Sequence, residues 1–160
     1  MKRGTTLFLK IAVFFIGLPV LALCIFVVPM IGSFARGLYP DLAYIKYLVF
    51  IVMYGAAIPF YFALYQAFKL LHYIDKNIAF SDFSVRALKN IKYCAMTISG
   101  IYVLGMPLLY LMADKDDAPG IIVLGLVIIF VSMVIAVFAA VLERLLKEAI
   151  DIKSENDLTV

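Results

Sequence analysis

Charged positions along this chain leave four long gaps. No Asp, Glu, Lys or Arg lies between Lys10 and Arg36, Lys46 and Lys69, Lys92 and Asp114, or Asp117 and Glu143. The gaps hold 25, 22, 21 and 25 residues. A hydrocarbon core about 30 Å thick is crossed by roughly 20 helical residues. A surface helix of a soluble domain instead keeps one polar, charged face. The pattern therefore predicts an all-α fold, a four-transmembrane-helix bundle forming one integral membrane domain over 1–160. The spans are expected at 11–33, 47–68, 93–113 and 119–142, with a loop at 69–92 and a tail at 143–160. The first apolar run follows Lys2, Arg3 and Lys10 but is too long for the h-region of a signal peptide. Leu23 before Cys24 is also too large for a lipoprotein site, so this run is expected to stay as a span.

Between the second and third spans, "FSDFSVRALKNIKY" (80–93) changes the period. Ser81 suits an N-cap, and Phe80 with Val85 suits a hydrophobic staple around it. At 100° per residue Arg86, Lys89 and Lys92 share one face, and Phe83, Ala87, Leu88 and Ile91 fall opposite. This predicts a short cytosolic amphipathic helix. Membrane electrostatics alone accounts for such a helix, with its apolar face down and its basic face near lipid phosphates. The functional alternative is a docking surface for a cytosolic partner. The fourth helix is expected to run on through "ERLLKEAIDI", with Glu143 and Lys147 as an i,i+4 pair. Its apolar stripe of Leu142, Leu145, Leu146, Ala149 and Ile150 must fold against the middle-loop helix or meet another chain.

Two halves of the chain look alike. "FFIGLPVLAL" (14–23) aligns with "YVLGMPLLYL" (102–111), and "KLLHYID" (69–75) with "RLLKEAID" (144–151). Each half then reads as one helical hairpin, a duplicated pair related by an axis along the membrane normal. Gly-x-Pro within a span removes a backbone donor and favours a kink. It serves either packing or a binding site. On the second span Tyr47, Tyr54, Tyr61, Tyr65 and His72 fall within about 40° of one another at 100° per residue. One reading is a packing seam whose hydroxyls bond to neighbouring helices, with the small row Ser132, Ala136, Ala140 of the fourth span approaching closely. The other is an intramembrane polar stripe lining a groove for an amphipathic ligand.

Composition agrees with a membrane protein. The chain is 66% hydrophobic, against about 45–50% in soluble domains, and its mean hydropathy is +1.07. Charge sets the threading. Eleven of the fourteen basic residues lie in the N-terminus, the middle loop or the tail. Basic loops stay inside, so both termini and the loop 69–92 are expected in the cytoplasm of a cell-membrane protein, with 36–46 and 114–117 outside. The net charge of +3 is this signal and does not point to direct nucleic-acid binding. "DKDDAPG" (114–120) lacks the ligand spacing of a calcium loop. It reads as a polar turn, with Pro119 opening the fourth helix.

No span carries an Asp, Glu, Lys or Arg in its interior, which argues against an ion-coupled antiporter or a voltage sensor. The two cysteines, Cys24 and Cys94, form no C-x-x-C pair. His72 is the lone histidine, so no metal or other cofactor is expected. No phosphate loop or nucleophile elbow occurs, and no acid–base or nucleophilic pair can be placed. An enzyme is not expected. Four helices with small faces leave a homo-oligomer open.

"IAFSDFSVRALKNI", "MADKDDAPG" and the tail "KSENDLTV", on four spans, together resemble the YoaS-like family, small integral membrane proteins of Bacillus-type bacteria classed as a domain of unknown function. The resemblance covers the whole chain and carries no catalytic motif. It implies, by gene association, a small Cro-like helix-turn-helix regulator as partner. Two functions follow. One is a membrane-bound sensor or anchor for that regulator, touching it through Arg86, Lys89, Lys92, Arg144 and Lys147. The other is a small transporter, flippase or self-protection protein for an amphipathic molecule, working at the Tyr stripe and the Gly-x-Pro hairpins.

Overall fold

Pro29 governs the shape of the first span. In the computed structural model, which describes residues 3–40, 44–116 and 119–158, that span comprises α1 (Arg3–Ala22), a π-helical turn (Leu23–Val27) and α2 (Val28–Leu38). The Val28 N–H donates to the Leu23 carbonyl, five residues back. The next bond in that register would run from residue 29 to Cys24, but proline has no N–H to give. The ladder departs from α geometry here and not at the Gly-x-Pro motifs, since helix continues through Pro19, Pro59 and Pro107.

The second span is α3 (Ile45–Asp75). It ends because Asn77 takes the left-handed conformation, φ 60°, which asparagine tolerates better than most residues. The Asn77 N–H bonds to Ile74 and the Ile78 N–H to Tyr73, closing a Schellman motif over the last carbonyls. After a six-residue turn, α4 (Asp82–Asp116) and α5 (Gly120–Leu158) complete the chain. The described residues form helices and turns only, and four helical segments are long and apolar enough to cross a membrane.

The expected short amphipathic helix is not an element of its own. Residues 82–92 are the first three turns of α4 and run into the third span without a break. No glycine or proline interrupts 82–99, so nothing in the chain ends the helical ladder there. The Ser81 hydroxyl donates to the Ile78 carbonyl at 2.6 Å, holding the turn instead of capping the helix as expected. Phe80 and Phe83 are exposed while Val85, Ala87 and Leu88 are buried, so the apolar face is narrower than the helical wheel suggested. Phe83 instead lies against the Tyr73 ring, centroids 5.8 Å apart.

The helices pack in sequence order, and the bundle is open. The first span lies on α3, α3 on α4, and α4 on α5. Among the described residues no Cα of α5 comes within 8 Å of one in the first span or α3. Small residues make the close approaches. A Cβ on Gly105 would meet the Val52 methyls at 3.0 and 3.1 Å, and one on Gly17 would meet Leu64 at 3.4 Å. Both matched glycines therefore abut α3, from opposite hairpins, and serve packing. The row Ser132, Ala136, Ala140 makes no close approach to α3, because among the described residues α5 packs only on α4. At the end of the molecule away from the chain termini, Ala35, Ile45, Val49 and Met112 join α2, α3 and α4 in the core cluster.

Candidate functional site

Two of the five stripe residues reach the first span. Tyr54 Oη donates to the Cys24 carbonyl at 2.7 Å, and Tyr61 Oη to the Gly17 carbonyl at 2.7 Å. Cys24 is the carbonyl that the π-turn and Pro29 leave without a backbone donor. An unpaired carbonyl is costly at bilayer depth, so Tyr54 completes the ladder from a neighbouring helix. Tyr47 and Tyr65 are exposed at 65% and 58%, and His72 is exposed as well. The stripe is thus split between a seam and an outer surface.

A cavity of about 630 Å³ lies instead against another face of α3. All four spans line it, among them Val28, Ala56, Ala63, Ile98, Tyr102 and Val131. None of its lining residues is charged, and none belongs to the Tyr stripe.

A charged brace stands where α4 and α5 leave the apolar region. Glu143, 5% exposed, accepts from Lys92 Nζ at 3.0 Å and pairs with Lys147 Nζ at 3.3 Å. Burial pushes its carboxyl up. The hydrogen bonds and charges of Lys92 and Lys147 outweigh that and hold it below the ordinary carboxylate range. A buried carboxylate is retained when it is paired and hydrogen-bonded in this way. Of the tail stripe, Leu146, Ala149 and Ile150 are half-buried, while Leu142 and Leu145 are exposed. Of the five basic candidates, Lys92 and Lys147 are engaged within the chain. Arg86 and Lys89 are exposed, and exposed Arg144 makes only a 3.7 Å approach to Glu148.

A second pair ties the first span to the end of α3, Lys10 Nζ to Asp75 Oδ2 at 2.7 Å. Lys10 also lies over the Phe68 ring, 5.5 Å from its centroid, and Phe14 meets that ring edge-on. The Glu143–Lys147 pair is the i,i+4 pair expected from the sequence, whereas the cross-helix contacts Lys92–Glu143 and Lys10–Asp75 were not expected, though the charge pattern held a signal. Lys92 opens the third charge-free gap and Glu143 closes the fourth, so both sit at the same depth. Among the described residues no three His, Cys, Asp or Glu side chains gather as a metal site. Asp117 of the polar turn lies outside the described residues.

The family model DUF2975, a protein of unknown function, matches residues 30–160. The chain belongs to this family. The DUF2975 match begins just past Pro29 and takes in most of α2 with α3, α4 and α5, and with them both walls of the brace. Over its whole length the chain is also similar to the uncharacterized membrane protein YoaS of Bacillus subtilis (strain 168), 74% identical across 160 residues and 100% of both chains. No solved structure matches it. It is a membrane protein of a family without an assigned function, as the resemblance implied.

Proposed function

We propose that the chain is a membrane anchor or sensor that holds a rigid two-helix stalk in the cytoplasm for a soluble regulator. The observation that carries this reading is continuity. α5 has 39 residues, roughly 58 Å at 1.5 Å per residue, against a hydrocarbon core of about 30 Å. α4 extends past its apolar stretch at the same end, and the Glu143 brace locks the two together. Such a stalk transmits a change at bilayer depth without a hinge. Arg86 and Lys89 give it a basic edge suited to an acidic surface. The helix-turn-helix regulator implied by the family resemblance is the partner to test. Full-length chain in nanodiscs is expected to retain that regulator at low salt. Arg86→Glu with Lys89→Glu should release it, while leaving the melting temperature unchanged. Absence of binding at low salt would reject the reading.

A small transporter or flippase is the second reading, and the cavity among the four spans favours it. It predicts altered resistance to amphipathic compounds when the chain is deleted. Unchanged sensitivity across such compounds would count against it.

A further inference from the structure

We infer that four exposed tyrosines are the chain's contact sites for the two phospholipid headgroup layers, Tyr65 and Tyr93 at the end that carries the chain termini and Tyr47 and Tyr110 at the end remote from them, and that the Glu143 brace lies at the level of Tyr65 and Tyr93. This stands on α3, α4 and the brace and does not depend on the regulator. The heights of the four agree between the two helices. A Cβ on Gly105 of α4 would meet a Val52 methyl of α3 at 3.0 Å, so those residues share a level. Tyr47 lies five residues before Val52 and Tyr110 five after Gly105, while Tyr65 lies thirteen after Val52 and Tyr93 twelve before Gly105. Between antiparallel helices of equal rise, these offsets bring Tyr47 level with Tyr110 and Tyr65 level with Tyr93. Both helices run unbroken between the levels, which stand 18 residues apart on α3 and 17 on α4. At 1.5 Å per residue that is roughly 27 and 26 Å, the scale of a hydrocarbon core about 30 Å thick.

The surroundings of the two levels select headgroups as the partner. A tyrosine at a membrane boundary keeps its ring body in hydrocarbon and its hydroxyl among polar groups. Lysines mark the same levels. Lys69 Nζ lies 5.3 Å from the Tyr65 ring centroid and Lys92 Nζ 5.0 Å from that of Tyr93, and Lys46, next to Tyr47, lies 5.7 Å from the Phe50 ring. A lysine placed so buries its stem along apolar surface and keeps its charge at the polar edge. Between the levels the outward side chains include Ile51, Ile58 and Phe62 on α3 and Met96, Val103 and Leu104 on α4. The exposed hydroxyls among them are bonded inside the chain, Tyr54 to the Cys24 carbonyl and Thr97 to the Tyr93 carbonyl. Lys92 carries the level across to α5 through its 3.0 Å bond to Glu143. The brace therefore stands at a headgroup layer, where charge is far less costly than in hydrocarbon.

The chain has no tryptophan, so single substitutions report depth without background. Tyr47→Trp, Tyr65→Trp, Tyr93→Trp and Tyr110→Trp, with Ile58→Trp between the levels and Leu142→Trp beside the brace, are placed in phosphatidylcholine vesicles brominated either near the headgroup or near the acyl-chain ends. The four tyrosine positions and Leu142→Trp are expected to lose more fluorescence to the shallow bromine, and Ile58→Trp more to the deep one. Two tyrosines stand at each level, so a variant that fails to fold leaves its level readable from the other. Stronger deep than shallow quenching at either level would overturn that level as a headgroup boundary. Quenching of Leu142→Trp by aqueous iodide in preference to either lipid would overturn the placement of the brace.

Discussion

Tyr54 owes its role to a proline on another helix. Pro29 withholds the N–H that the π register needs, and the Tyr54 hydroxyl supplies the missing donor to Cys24. Tyr61 bonds to Gly17 within regular helix, where a backbone donor is already in place. Tyr54→Phe should therefore destabilise the chain by about 0.5–1.5 kcal/mol, and Tyr61→Phe by less, read as thermal midpoints in mild detergent. In a Pro29→Ala background the Tyr54→Phe cost should shrink, because alanine restores an N–H. An unchanged cost there would separate the tyrosine from the proline. Glu143 makes a pH prediction. Its carboxyl is held low in the folded chain. The stability it adds is therefore present above the unfolded carboxylate pKa and is lost as pH falls through the folded value. Melting temperature should drop on that acid limb, and Glu143→Gln should flatten the drop while costing about 1–3 kcal/mol at neutral pH. A variant with the wild-type acid profile would show that the brace is not the titrating group.

At the scale of elements, small residues decide which helix faces meet. Gly105 has Val52 methyls within 3.1 Å of where a Cβ would stand, and valine is stiff at χ1. Gly100, on the same helix, has nothing within 4 Å. Gly105→Leu should push α4 from α3 and cost about 1–3 kcal/mol, while Gly100→Leu should be neutral or stabilising. Equal effects in a detergent melting series would refute close packing at Gly105. The existence of four spans was legible because charge in hydrocarbon is expensive at every position. The boundary at residue 92 was not a boundary, since amphipathicity changes along α4 while helical hydrogen bonding does not. The tyrosine stripe was legible as a face of α3. Its division into two bonded and three exposed residues was not, because that depends on how far the first span overlaps α3.

For the whole molecule, the open order of packing is the main consequence of tertiary structure. Large apolar side chains such as Phe15, Leu104 and Phe130 are 69–84% exposed, so lipid must cover them, and the chain should aggregate when detergent is removed. Threading is tested at the same scale. A cysteine at Leu158, in a background lacking Cys24 and Cys94, should react with an impermeant thiol reagent only after cells are opened. Reaction in intact cells would reverse the orientation. Sequence by itself determined the membrane class, four spans and the basic end, because each is a one-dimensional record of which residues hydrocarbon excludes. Tertiary structure alone decided that Glu143 is buried between lysines, that α5 stands apart from the first span and that a cavity lies between them. Those facts depend on the rotation and offset of one helix against the next, which small packing residues set and helical periodicity does not encode.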